Sequence, residues 1–376
     1  MKVAFLMGNR LSAWHTRMYE PLLGLGVDLK ALTYRPLRFP LDQVRIPYEI
    51  IPNRAETRTL GKRIREGIEN RLVGTPVNED PADLVARLEG FDLIHSWELF
   101  SADTEAALEA KKRWGTPVLV TVWDNLPFHR EEDPVFAKRK QRARKEVDRF
   151  LVYTHDSRKT LIEEGVESTR IQLIPPSVDL EAFSPATSPP KNPVILGVGR
   201  MVPEKGFEDL IEAVGFLLKD RTRESLTLRL LGAGPNEEAV DRLAETRGLG
   251  EQYERVPVLD YSELPEFLRQ GTVLVLGSKP TPEWKEQFGM ILIEAMACGV
   301  VVIGAKSGAI PEIIGGAGLV YEPGAFDELA ECLRQVLDRD AFRESLTAKG
   351  LEQCRNRFDR VSNAKQVLSL YESLVR

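Results

Sequence analysis

The chain has 376 residues, 43% hydrophobic and 29% charged, enough for two domains of ordinary size with sizeable cores. Fifty-one Lys and Arg against 57 Asp and Glu give a net charge of −6, which argues against a general nucleic-acid binder. The cysteines Cys298, Cys332 and Cys354 are odd in number and widely spaced, so neither a disulfide framework nor a zinc site is expected.

The opening apolar run, Val3–Met7, is too short for a signal peptide and gives way at once to Gly8-Asn9-Arg10. No stretch approaches the length of a membrane span. A cytoplasmic protein is expected, peripheral at the inner membrane face at most. Val3–Met7 reads as a buried first strand, and the Gly8 loop leaves its carboxyl end, where open α/β sheets bind ligands. Val27–Thr33, Phe91–His95, Val118–Val122 and Phe150–Thr154 continue as apolar or β-branched strands, separated by helical stretches such as Ala102–Trp114 and Ser157–Glu164. This alternation predicts a doubly wound parallel sheet.

Residues 183–193 carry four prolines and read as a linker. Beyond them the alternation restarts. Strands are expected at Val194–Val198, Leu226–Leu231, Val273–Leu276 and Val300–Ala305, with helices at Phe207–Leu218, Glu237–Thr246 and Leu264–Gln270. Two basic segments, Arg54–Arg71 and Lys138–Lys145, are either solvated helix faces or a surface that docks on anionic lipid or an anionic acceptor.

Three stretches of the second half carry chemistry. Gly197-Val198-Gly199-Arg200 through Lys205-Gly206 follows a strand; its glycines allow close backbone approach, and Arg200 and Lys205 bring a guanidinium fork and a point charge suited to phosphate oxygens. It contains no Gly-Lys-Ser/Thr, so it is not a Walker loop. Leu231-Gly232-Ala233-Gly234-Pro235 has two glycines, but Glu237 occupies the third fingerprint position, which disfavours a nicotinamide or flavin cofactor. Glu286 through Gly299 is the densest signal. Glu294 is the one charge between Met290 and Ala305, and a carboxylate in an apolar helix needs a partner: a backbone amide, an Arg, or a hydroxyl-rich ligand. Gly289 marks the start of that helix, so the amides of Phe288, Gly289 and Met290 are its free donors. Glu286 stays in the loop ahead, and Ser307–Glu312 leaves the next strand towards the same mouth.

Taken in order, Gly-Arg…Lys-Gly, Glu-x-Phe-Gly-Met-x-x-x-Glu-Ala-Met-Ala-x-Gly and Gly-x-x-Pro-Glu resemble the retaining GT-B glycosyltransferases of family 4 across the whole second half. Ile174-Pro175-Pro176-Ser177-Val178-Asp179, with Phe183, resembles the family's Ile-Pro-Asn-Gly-Val-Asp-x-x-x-Phe, with Pro-Ser in place of Asn-Gly.

The resemblance implies two Rossmann-like domains with an interdomain cleft: residues 1–188 on the acceptor side, 189–358 on the donor side, and a final helical segment, 359–376, packed back on the first domain. It implies a UDP- or GDP-sugar donor whose hexosyl group passes to a sugar, lipid-linked or small-molecule acceptor, with no metal and no cofactor. Arg200 and Lys205 would neutralise the diphosphate. Glu294 would take the ribose hydroxyls and Glu286 those of the transferred sugar. Gly8, Gly199 and the Phe288, Gly289 and Met290 amides would support sugar and phosphate, with the base near Val258.

The first half departs from the family pattern. Thr121-Val122-Trp123-Asp124-Asn125 places Trp123 where many members carry a His, and Gly8-Asn9-Arg10 replaces a Gly-Gly pair. The vacated role would pass to Asp124, Asn125, His129 or His15. Asn9, Trp97 and Glu98 complete the expected acceptor side. Asp338-Arg339-Asp340 is expected to be a surface turn. The competing expectations are a GT-B epimerase and a non-catalytic nucleotide-sugar-binding partner of a larger complex.

Overall fold

The computed structural model describes residues 1–52, 83–188, 190–219 and 225–375, and the chain divides into two compact units. The basic stretch Arg54–Arg71 lies outside the described residues.

The first unit comprises residues 1–153, 157–175 and 360–376. Its sheet has seven strands: β1 (Lys2–Leu6), β2 (Asp28–Tyr34), β3 (Tyr48–Ile51), β4 (Leu93–Trp97), β5 (Val118–Val122), β6 (Arg149–Val152) and β7 (Ile171–Leu173), in the order β3-β2-β1-β4-β5-β6-β7. Every neighbouring pair is parallel. β4 and β5 are buried along their whole length, which is why they read as uninterrupted apolar runs. The helix Ala102–Trp114 is capped by Ser101, whose hydroxyl accepts from Thr104 N–H at 3.0 Å, and stops at Gly115 in the left-handed region.

The second unit comprises residues 154–156 and 176–359. Its six strands, β8 (Val194–Val198), β9 (Thr227–Leu231), β10 (Tyr253–Val256), β11 (Val273–Leu276), β12 (Val301–Ala305) and β13 (Gly318–Tyr321), run parallel in the order β10-β9-β8-β11-β12-β13. Its core joins the inward faces of β8, β9, β11 and β12 to the helices Phe207–Leu217, Glu237–Thr246 and Phe326–Asp338. The strand order reverses between β1 and β4 in one sheet and between β8 and β11 in the other. Each reversal opens a crevice at the strands' carboxyl ends.

The short strands β3, β7, β10 and β13 escape the sequence pattern because each is a sheet edge, only partly buried, and so carries no continuous apolar run. The crossing into the second unit falls at Pro175/Pro176, ahead of the Pro-rich stretch. Residues 182–184 are fastened to the second unit: Phe183 is buried with its ring 5.5 Å from that of Tyr261, and Arg269 donates to the Ala182 and Ser184 carbonyls at 2.8 and 2.9 Å. Chain entry and exit lie side by side, Val178 N–H donating to Phe358 O at 2.9 Å. The last helix, Arg360–Val375, belongs to the first unit. There Asn363 donates to Pro175 O at 3.0 Å, and Tyr371 is buried with its hydroxyl 2.7 Å from His95 Nδ1.

The helix Pro134–Glu146 changes the expectation for the second basic segment. Lys140 is buried 2.7 Å from Glu164 Oε1, Arg142 binds Glu146 and Glu105, and Arg144 binds Glu131 and Glu164. Arg139 donates to Phe100 O at 3.3 Å. Most of these cations serve the unit's interior or its own carboxylates, leaving Lys138 and Lys145 as the exposed ones. Among the described residues, no helix is long and apolar enough to cross a membrane.

Candidate active site

The second unit gathers three loops at the carboxyl ends of β8, β11 and β12. Two glycines make the approach possible. Gly206 has φ of +64°, and a Cβ there would stand 2.1 Å from Gly277 O; Gly308 has φ of +51°, and a Cβ there would stand 2.0 Å from Glu286 O. Ala309 N–H then donates to Glu286 O at 3.0 Å, and Lys279 N–H to Glu204 O at 2.8 Å, so the loops fix one another through their backbones.

Glu286 sits at the middle of this contact. Its Oε2 accepts from Lys205 Nζ and from Ser278 Oγ, both at 2.6 Å, and Lys205 also lies 4.9 Å over the Trp284 ring. A mostly buried carboxylate is thus held by a cation and a hydroxyl. Glu294 is 3% exposed on the helix Met290–Ala297 and accepts from the Tyr261 hydroxyl. That helix starts at Gly289, with φ of +82° and no side chain capping it. No side chain therefore covers its first N–H groups at the carboxyl edge of the sheet, where Leu292 N–H donates to Gly289 O at 2.9 Å. Phe288 is buried, its ring 6.1 Å from Phe358, so only its backbone is available to a ligand. Arg200 is exposed beyond β8, and Val258 is 69% exposed beyond β10. Glu312 accepts from His155 N–H at 2.9 Å, and burial raises its carboxyl above the usual range. Asp338, Arg339 and Asp340 are exposed between two helices.

Sequence reasoning placed Lys205, Glu286, Gly289 and Glu294 at one edge, and the structure brings them there. It missed Ser278 and Tyr261, which supply the hydroxyls on the two carboxylates. Their pairing is invisible in one dimension, since Tyr261 lies 33 residues from Glu294.

In the first unit, Trp97 is the last residue of β4, and Asn9, Glu98, Trp123, Asp124 and Asn125 follow the carboxyl ends of β1, β4 and β5. Glu98 has a left-handed backbone (φ of +58°), and its Oε1 accepts from Trp123 N–H at 2.9 Å. Burial, reinforced by the charge of Asp124, pushes its carboxyl up to about 8. Asp124 is buried; His129 Nδ1 is 3.1 Å from both its carboxylate oxygens, and Lys140 Nζ is 4.0 Å away. Asp124 and His129 are therefore already bound to each other. His15 Nδ1 is 2.8 Å from Ser12 Oγ, and burial, aided by Arg10, brings its imidazole down to about 4. Trp14 and Tyr153, not singled out from sequence, join Trp97 and Trp123 in one aromatic cluster.

The model of the glycosyl transferases group 1 matches residues 179–353, and that of Glycosyltransferase Family 4 matches residues 34–182, so the two together run through most of the chain. The chain belongs to the family 4 glycosyltransferases. Among the curated relatives of this glycosyltransferase, the D-inositol 3-phosphate glycosyltransferase of Nocardioides sp. is 27% identical over 315 residues, covering 75% of this chain and 67% of that protein. The protein of the same name from Salinispora tropica is 25% identical over 353 residues, covering 84% and 71%. The chain thus spans about two thirds of the length of these relatives. Of solved structures, Anabaena Alr3699/HepE in complex with UDP has a TM-score of 0.78 at 19% identity, with both chains covered fully. Sucrose-phosphate synthase of Thermosynechococcus elongatus has a TM-score of 0.75 at 20% identity, covering 100% of this chain and 99% of that one. These likenesses identify the GT-B fold.

Proposed function

We propose that the glycosyltransferase transfers a hexosyl group, with retention and without a metal, from a nucleotide-diphospho-sugar to a hydroxyl acceptor. The second unit would hold the donor and the first unit, with the closing helix 360–375, the acceptor. The observation that carries the reading is the pair of buried, partnered carboxylates, Glu286 and Glu294, on either side of the uncapped Gly289 helix start. Carboxylates accept hydroxyl protons and N–H groups accept anionic oxygens, so the edge offers both recognition modes that a nucleoside diphosphate sugar demands.

Glu294 takes the ribose hydroxyls beside Tyr261, and Glu286 takes hydroxyls of the transferred sugar. Gly199, Arg200, Lys205 and the Phe288–Met290 amides face the diphosphate, with the base beside Val258. Lys205, already fixed by Glu286 and Trp284, needs little reorganisation to meet charge developing on the leaving group. In the transfer, the bond from the anomeric carbon to phosphate breaks and the bond to the acceptor oxygen forms on the same face. The acceptor's proton leaves with the diphosphate. Two cations and a helix terminus do the electrostatic work that a divalent ion would otherwise do. UDP is the first nucleotide to test, since the Anabaena neighbour was solved with it.

The test is a thermal-shift panel of UDP, GDP, ADP and dTDP, followed by transfer assays in EDTA. One nucleotide should raise the melting temperature, because a ligand at 100 times its Kd adds about 2.7 kcal/mol. Arg200→Ala and Glu286→Ala should weaken that shift or the transfer. Absent transfer by the unmutated protein, together with unchanged nucleotide binding in both variants, would overturn the reading, as would loss of activity on chelation for its metal-free part. Conversion of donor without acceptor would instead favour an epimerase.

A further inference from the structure

The aromatic cluster at the carboxyl edge of the first sheet has features that packing alone does not explain. Trp123 lies between two indoles, with Trp14 at 5.7 Å and an interplanar angle of 24°, and Trp97 at 5.9 Å and 34°. Tyr153 meets Trp123 edge-on at 4.4 Å, and His15 meets Trp97 edge-on at 5.6 Å. The ring nitrogens of Trp97 and Trp123 are buried and have no hydrogen-bond partner among the described residues. Trp97 itself is 9% exposed. Leaving one buried donor unpaired is costly, and two in adjacent side chains is unusual for a merely structural cluster.

The outer margin is open. Trp14 is 37% exposed, and Phe39, whose ring is 5.9 Å from that of His15, is 42% exposed. Glu98 adds one buried oxygen, Oε2, without a hydrogen-bond partner among the described residues. The cluster therefore combines an exposed aromatic face, uncharged N–H donors and a carboxyl group within a few residues of the β1, β4 and β5 ends. Ring-shaped polyols match this set: their axial C–H faces lie on aromatic rings, and their equatorial oxygens accept N–H donors.

We infer that Trp14, Trp97 and Trp123 form a subsite for a hydroxylated ring, so that the acceptor of this glycosyltransferase is a sugar or cyclitol recognised by its ring and not by a charged substituent. The inference rests on reading the first unit as the acceptor side. Trp14 supplies the stacking face at the mouth, and the Trp97 and Trp123 ring nitrogens donate to ring hydroxyls within.

Five tryptophans occur in the chain, so protein with 15N-labelled indoles gives few signals, assignable by single Trp→Phe variants. The UDP-saturated protein would be titrated with methyl α-D-glucopyranoside, methyl α-D-mannopyranoside, myo-inositol, myo-inositol phosphate and, as an acyclic control, glycerol. At least one unphosphorylated ring should move the Trp97 and Trp123 signals while Trp114 stays fixed and glycerol moves none. Trp14→Ala should raise that ring's Kd about tenfold, Trp14→Phe less, with UDP affinity unchanged. The proposal fails if no ring moves these signals, if only the phosphorylated ring does, or if Trp14→Ala leaves ring affinity intact. Trp284, beside Lys205, reports the donor side separately: should UDP leave its signal unmoved, the donor assignment fails on its own account.

Discussion

At the residue scale, the two carboxylates of the second unit are held differently, and their variants should separate. Glu294 accepts from the Tyr261 hydroxyl and sits in an apolar helix. Glu294→Gln keeps its shape and the Tyr261 contact but loses the charge, so nucleotide affinity should fall about tenfold, and further in Glu294→Ala. Isothermal titration with UDP measures it. Glu286 is bound to Lys205, so Glu286→Gln should act on the transferred sugar and lower kcat more than it weakens UDP. Titration of the first unit carries a second residue-scale expectation. Burial holds His95 at about 3, against an ordinary 6.5, between the Tyr371 and Thr121 hydroxyls. The unfolded chain takes up that proton first, so this contribution is complete above about 6.5 and is lost as pH falls towards 3. Glu98 works the opposite way. Its raised value makes the fold lose stability as pH climbs from about 4.5 to about 8. Melting temperatures between pH 4 and pH 9 should show His95→Gln flattening the acid limb and Glu98→Gln flattening the alkaline one.

At the element scale, the helix Pro134–Glu146 shows how little a run of like charges says by itself. Asp133 caps it, accepting from Val135 N–H at 2.8 Å, and Pro134 opens it at a position where no backbone N–H is needed. Inside, Lys140 is buried against Glu164, which also accepts from Phe128 N–H at 2.7 Å. Removing one partner leaves a buried charge, so Lys140→Ala should cost about 3–5 kcal/mol in urea unfolding, while Lys138→Ala on the exposed face should stay within about 0.5 kcal/mol. Equal effects of the two would show that the pair contributes nothing. The helix Arg360–Val375 is the other decisive element. Its truncation after Asp359 removes Tyr371 from the first unit's interior, and that unit should melt earlier while nucleotide binding to the second unit persists.

At the scale of the whole molecule, the strands buried on both faces were legible because burial enforces an apolar, β-branched text, as in Val118–Val122 and Val301–Ala305. The order of glycines, cations and carboxylates along the second unit was legible because one sheet edge collects them in sequence. What stayed hidden were contacts between distant segments that leave no periodic trace. The Tyr371 hydroxyl reaches His95 across 276 positions, and Ser278 reaches Glu286 through a loop without regular structure. Edge strands were hidden because partial burial breaks their apolar run, and the indole cluster because Trp14 and Trp123 meet only when the ends of β1 and β5 are brought together.

The return of residues 360–375 to the first unit also bears on how the protein is made. Vectorial synthesis delivers β1 to β7 early, yet the tyrosine that covers His95 is translated only after all of the second unit. At about 5–20 residues per second, the nascent first unit waits on the order of 10–40 s with an apolar seam open. Over that interval a ribosome-associated chaperone has a defined surface to hold, and pausing late in the message would prolong its occupancy.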